Sequence, residues 1–79
     1  MAVHVKLSTT LRDRVPGYDA ARGLMMDIDQ PVTAAHIAQE LGLPGREIKI
    51  VMLNGTQASL ENMVRDGDRL AFFPAVGGG

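Results

Sequence analysis

The sequence predicts an α+β fold: a mixed sheet packed on one main helix, ending in a flexible C-terminal glycine tail. Three observations predict it. Apolar residues alternate with polar ones at period two around Val3, Val5 and Leu7 and again around Leu24, Met26 and Ile28. Such alternation is the mark of a half-buried strand. One segment, by contrast, carries a helical stripe, with Ala34, Ile37, Ala38 and Leu41 at i, i+3, i+4 and i+7. The last ten residues run from an apolar strand through Phe72-Phe73-Pro74 into Gly77-Gly78-Gly79.

The elements follow in order. Val3 to Leu7 forms the first strand. Residues 9 to 23 hold turn formers (Pro16-Gly17, Asp19, Gly23) and read as a loop, with a short helical turn near Leu11 to Val15. Leu24 to Ile28 is the second strand, antiparallel to the first. Thr33 is a suitable N-cap for a helix over 34–41, and Gly42 and Pro44 end it. Ile48 to Leu53 is apolar except at Lys49, which predicts an inner strand covered on both faces. Asn54-Gly55 signals a hairpin turn, with a short strand after it at Gln57-Ala58. The spacing of Leu60, Met63 and Val64 predicts one helical turn packed on the core. Asp66-Gly67-Asp68 is a turn, and Arg69 to Phe73 the last strand, expected in the middle of the sheet beside the first.

Seventy-nine residues make one domain. We divide them into a folded unit over 1–74 and a tail over 75–79. Eight basic and nine acidic residues leave a net charge of −1 without a cationic block, which argues against a nucleic-acid or membrane-surface protein. No apolar run approaches the roughly 20 residues of a membrane span. Alternation from Val3 onward stands where a signal peptide would, so the cytoplasm is the expected location. The absence of cysteine excludes a disulfide scaffold and a thiolate metal site.

The tail carries the functional expectation. Glycines lack a Cβ, so Gly77, Gly78 and Gly79 can pass through a narrow channel in another protein. Fully extended, residues 75–79 reach about 17 Å beyond Pro74, at ~3.4 Å per residue. That distance carries the Gly79 carboxylate into a partner's buried site. Pro74, without an N–H, suits the end of an edge strand and marks where pairing stops. Of only three aromatics, Phe72 and Phe73 sit together at the tail's root. One must face the core; Phe73, Pro74 and Val76 are expected to anchor a partner.

Val51-Met52-Leu53-Asn54-Gly55, followed by Asp66-Gly67-Asp68-Arg69-Leu70-Ala71-Phe72-Phe73-Pro74-Ala75-Val76-Gly77-Gly78-Gly79, resembles the MoaD/ThiS family of sulfur carriers, which are ubiquitin-like β-grasp proteins. The resemblance spans nearly the whole chain. Its Phe-Phe-Pro segment is more similar to the molybdopterin synthase small subunit than to the thiamine sulfur carrier. The third glycine departs from the family pattern and leaves the cofactor pathway open. The resemblance implies that a ubiquitin-activating-type adenylyltransferase converts the Gly79 carboxylate to an acyl-adenylate, using ATP. A sulfur donor then makes a thiocarboxylate, and the sulfur is delivered within a larger partner such as the molybdopterin synthase large subunit. Partner-binding residues so implied are Phe72, Phe73, Pro74 and Val76, with Gly77 and Gly78 leading to Gly79. The chemistry is consistent: a carboxylate is a poor electrophile and needs activation. The sequence has no Walker-type loop, so the ATP site is expected on the partner and no cofactor on this chain.

Other residues point elsewhere only weakly. His4 and His36 lie without a carboxylate–nucleophile arrangement and read as solvated or capping. Met25, Met26, Met52 and Met63 read as gap-filling core, with Met25 on the polar side of its strand. Asp66 and Asp68 read as a solvated turn neutralised by Arg65 and Arg69, and no metal site is expected. Two other functions fit the same tail: a ubiquitin-like modifier forming isopeptide bonds through Gly79, and a β-grasp interaction module with an inert tail. An enzyme acting alone lacks any acid–base pair, nucleophile or metal cluster in the sequence.

Overall fold

The computed structural model describes residues 2–75. Strand β1 (Ala2–Leu7) pairs antiparallel with β2 (Leu24–Asp27). A 3₁₀ segment over Thr9–Arg14 leads into the loop between them and overlaps the short helical turn expected near Leu11 to Val15. Helix α1 (Ala34–Glu40) follows a two-residue strand, β3 (Val32–Thr33). Then come β4 (Ile48–Leu53), β5 (Thr56–Ala58), β6 (Met63–Val64) and β7 (Arg69–Pro74). The main sheet has the order β2-β1-β7-β4-β5, with β7 parallel to β1 and antiparallel to β4. The last strand is therefore central and beside the first, as the sequence predicts.

The core lies between α1 and one face of this sheet. Val3, Val5, Leu7, Val51, Leu70 and Phe72 enter it from the strands, and Ala34, Ile37 and Ala38 from the helix. The period-two and helical-stripe patterns thus converge on one apolar layer. Helix α1 starts as its sequence demands: the Thr33 hydroxyl accepts the His36 N–H at 3.1 Å. Gly42, just beyond its end, takes φ +76°, the left-handed conformation of a C-terminal stop. Asn54 and Gly55 both have positive φ (53° and 83°), the pair required by a two-residue type I′ hairpin, and Leu53 faces Thr56 across it.

Two expectations are corrected. The 60–64 segment is not a helical turn. Met63 and Val64 pair antiparallel with Thr33 and Val32 in a small second sheet. Ahead of them the backbone is held as a turn, with the Asn62 Oδ1 accepting from the Ser59 N–H at 2.9 Å. The carbonyls of Asn62 and Leu60 then accept the N–H groups of Ala34 and Ala35 at 2.9 and 2.8 Å. Those are first-turn donors that have no partner inside the helix. Val64 is buried, while Met63 is 41% exposed rather than filling the core. The second correction concerns β4. It is an inner strand, but the sheet is covered on one face only. Ile50 is 38% exposed on the outward side, opposite the buried Val51.

Candidate functional site

The root of the tail is β7, held on both sides by neighbouring strands. Parallel pairing to β1 runs from Arg69 opposite His4 to Phe72 opposite Leu7, and the Ser8 N–H adds a bond to the Phe72 carbonyl at 3.2 Å. On the other side, Leu70 to Phe73 face Leu53 to Ile50. A register shift lies between Ile48 and Ile50, so Lys49 is the extra residue of a bulge across from the Phe73–Pro74 step. Bulges of this kind bend a strand and end regular pairing. Pro74 has no N–H to give to the ladder and is the strand's last residue. It closes a central strand rather than the edge strand for which a proline seemed best suited. Ala75 follows, exposed and outside the strand.

The two phenylalanines separate by face. Phe72 is 0% exposed and the largest fully buried side chain. It belongs to the core and cannot itself touch a partner, which corrects its inclusion among partner-binding residues. The reason is strand alternation: Phe72 shares the inward side with Leu70, so Phe73 takes the outward side with Ala71. Phe73 and Pro74 are both half-buried at the tail's root. Val76, Gly77, Gly78 and Gly79 lie outside the described residues.

Outward of β7, the sequence had not marked a surface that the sheet assembles. Phe73 stands opposite Ile50, and Ala71 opposite Met52 on β4 and Lys6 on β1. A shallow depression of about 440 Å³ opens there, lined by His4, Lys6, Met52, Gly55, Arg69, Leu70, Ala71 and Phe73. The alternation of each strand was legible, but the register that brings three strands together was not.

The Asp66–Asp68 turn leads into β7, and its carboxylates bond otherwise than expected. The Asp66 carboxylate accepts the Ala2 N–H at 2.7 Å. Asp68 accepts from the Asn54 side-chain amide at 3.0 Å and from the Arg65 N–H at 2.8 Å. Asn54 in turn accepts the Arg69 N–H at 2.9 Å. Asn54 therefore ties the β4–β5 hairpin to the start of β7. The hydrogen bond from Asn54 holds the Asp68 carboxyl below its ordinary value of 3.8, followed by the Arg65 N–H; the charge of Arg65 adds less. Among the described residues the ion pairs are Arg14 with Glu47 and Arg22 with Asp19, so neither Arg65 nor Arg69 forms one.

The remaining candidates are placed as follows. The His4 ring Nε2 lies 2.6 Å from the Arg22 carbonyl, bracing the 15–23 loop against β1, and His36 is exposed on α1. Met25 is 67% exposed. No group of three or more His, Cys, Asp or Glu able to hold a metal occurs among the described residues. No helix among them is long and apolar enough to cross a membrane.

Comparison with known proteins gives the same fold. SAMP1 from Haloferax volcanii superposes with a TM-score of 0.73 at 26% identity, covering 100% of both chains. The HVO 2177 protein of Haloferax volcanii, a solution structure, also reaches 0.73 at 25% identity, covering 100% of this chain and 87% of that one. No curated protein matches the chain. Over residues 1–77 the sequence matches the family described as Mut7-C ubiquitin. A helix gripped by a mixed sheet, a central last strand, and a match over nearly the whole length agree: this chain belongs to the Mut7-C ubiquitin family, with a ubiquitin-like β-grasp fold.

Proposed function

We propose that this protein is a sulfur carrier whose Gly79 carboxylate is adenylated and converted to a thiocarboxylate, donating sulfur to molybdopterin-type cofactor synthesis. The observation that carries the reading is the central strand β7, anchored from Arg69 to Phe73, which leads in sequence through Pro74 into Gly77-Gly78-Gly79. A strand braced on both sides is a fixed base for a tail that must enter a partner. The activating step joins the carboxylate to the adenylyl group of ATP and releases pyrophosphate. A sulfur nucleophile then displaces AMP. The adenylyltransferase supplies the ATP site, and a synthase large subunit receives the sulfur. Phe73, Pro74 and Val76 anchor these partners, and Gly77 and Gly78 thread the carboxylate forward.

A second reading draws on the ubiquitin description of the matching family: after the same activation, Gly79 is transferred to lysines of target proteins. The test is intact mass of the chain purified from its host, with a Gly79-deleted control. The carrier reading expects a gain equal to replacing one oxygen by sulfur, located on Gly79 by fragmentation. Location matters because oxidation of any of the five methionines gives nearly the same gain. A gain on methionine alone, or none after incubation with adenylyltransferase, ATP and sulfur donor, rejects it. A ladder of conjugates on a denaturing gel supports the second reading instead.

A further inference from the structure

We propose that Lys49 is the internal acceptor for an activated Gly79: its ε-amine takes the acyl group and closes the chain's own tail into an isopeptide loop. The activation is that of the carrier reading, on which the inference rests; what goes beyond that reading is the fate of an acyl group that is not delivered. Lysine is scarce in this chain, with Lys6 and Lys49 alone among 79 residues. One of the two stands beside the root of the tail. Ile50 faces Phe73 and Ile48 faces Pro74, so Lys49 is the bulged residue across from the Phe73–Pro74 step. A bulged residue is left out of the strand ladder. Lys49 is exposed and forms no ion pair among the described residues. The Lys6 ammonium, by contrast, meets the Ala21 carbonyl at 3.4 Å.

The span matches the tether. Neighbouring strands lie about 5 Å apart, so the Lys49 backbone is one strand spacing from the point where the tail departs. Its flexible four-carbon stem sweeps the amine around that point. A flexible tether of the five residues 75–79 has a root-mean-square length of about 11–13 Å, at roughly 5–6 Å times the square root of the residue number. Three of the five are glycine, the composition to which that length applies. Such a tether covers the Lys49 amine without being stretched. Tethered groups meet most often when the tether length matches the span, at effective concentrations of about millimolar order. Lys6 is placed less well. It lies on β1 opposite Ala71, three residues before Pro74, so the tail must fold back by about 10 Å along the sheet at ~3.3 Å per residue. A second copy at micromolar concentration competes poorly with an internal amine.

The step balances without a further reagent. The free amine of Lys49 donates its lone pair to the Gly79 carbonyl carbon. A C–N bond forms, the C–O bond to the adenylate phosphate breaks and AMP leaves, while the proton displaced from nitrogen passes to water. The product has no free terminal carboxylate, so it can neither be adenylated again nor carry sulfur. Capture by Lys49 therefore retires a chain whose acyl group meets no sulfur donor.

The test installs the activated group chemically, so that no adenylyltransferase is needed. The chain is made with Gly79 as the thioester of a small thiol, as wild type, Lys6→Arg, Lys49→Arg, and Lys49→Arg combined with Gln57→Lys. Arginine keeps the charge and the stem but is not a nucleophile. Gln57 is exposed on β5 opposite Met52, which itself faces Ala71, so a lysine there is an amine out of place. Wild type and Lys6→Arg are expected to release the thiol and give a monomer lighter than the free acid by one water. The rate should not depend on chain concentration, and digestion should yield the Lys49 and Gly79 peptides joined. Closure should be at least tenfold slower in Lys49→Arg, where hydrolysis takes over, and should stay slow with Gln57→Lys added. Hydrolysis alone in wild type, closure that ignores Lys49→Arg, a link to Lys6 or to the N-terminal amine, full recovery by Gln57→Lys, or joined copies that increase with concentration each overturn the proposal. Hydrolysis alone in a chain that carries sulfur on Gly79 in its host rejects the acceptor and leaves the carrier reading standing. Closure onto Lys49 in a chain that no adenylyltransferase activates upholds the acceptor and rejects the carrier reading alone.

Discussion

Truncating Phe72 and Phe73 one at a time should have opposite consequences, although they are adjacent and chemically identical. Phe72 is 0% exposed, among Leu70, Val5 and Val51 of the same core cluster. Removing a buried Phe side chain costs about 3–5 kcal/mol, as lost transfer energy plus the cavity left behind. A chain of this length has roughly 4–12 kcal/mol in total, at about 0.05–0.15 kcal/mol per residue. Phe72→Ala therefore removes a large share of the stability. With roughly 4–8 °C per kcal/mol for a domain this small, the melting temperature falls by at least ~12 °C. Phe73 is half-buried on the outward face and meets Ile50 across the strands. A cross-strand pair of that kind contributes about 0.2–1 kcal/mol. Phe73→Ala should stay folded and lose affinity for the activating enzyme. Urea unfolding followed by circular dichroism measures the first effect, and calorimetric titration with the enzyme the second. Phe72→Leu provides a milder variant should Phe72→Ala not fold. Equal destabilisation by the two alanine substitutions would refute the division of faces, and unchanged binding by a folded Phe73→Ala would refute the anchor.

Gly23→Ala should be far more damaging than its size suggests. Gly23 has φ +75°, and an added Cβ would lie 2.7 Å from the Val5 carbonyl oxygen and 2.9 Å from the His4 ring. Left-handed strain alone costs about 1–3 kcal/mol, and the backbone oxygen cannot swing aside; a loss below ~1 kcal/mol in urea unfolding would contradict this close approach. Acid stability reports the Asn54–Asp68 link. The Asp68 pKa is lowered in the folded state, so its contribution is fully present above the unfolded value and is lost as pH falls through the folded one. Asn54→Ala removes the largest cause of that shift. Urea titrations at pH 5 and at pH 2–3 should show a smaller acid loss in the variant than in the parent; an unchanged difference would sink the assignment.

Local pattern was enough for much of this protein. Period-two alternation identified β1 and β2, because a strand buried on one side must place every second residue inward, and the apolar run after the Asp66-Gly67-Asp68 turn identified β7. The Thr33 cap, the helical stripe and Gly42 identified α1, and Asn54-Gly55 the hairpin, because each conformation is set by neighbours only a few residues away. The tail's root at Phe72-Phe73-Pro74 was visible for the same reason. What lay beyond the sequence depended on distant partners. Leu60, Met63 and Val64 have helical spacing, yet the first donors of α1 and the edge of Val32–Thr33 draw that segment into an extended strand. Whether Phe72 or Phe73 faces the core was decided by the register of β7 against β1 and β4. That same register set Lys6, Ala71 and Met52 in one row with Arg69 beside it, and left Asp68 bonded to the Asn54 amide and the Arg65 backbone N–H instead of to the charged side chains of Arg65 and Arg69. Sequence fixes what a residue prefers locally; only the folded chain decides which residue, tens of positions away, meets it.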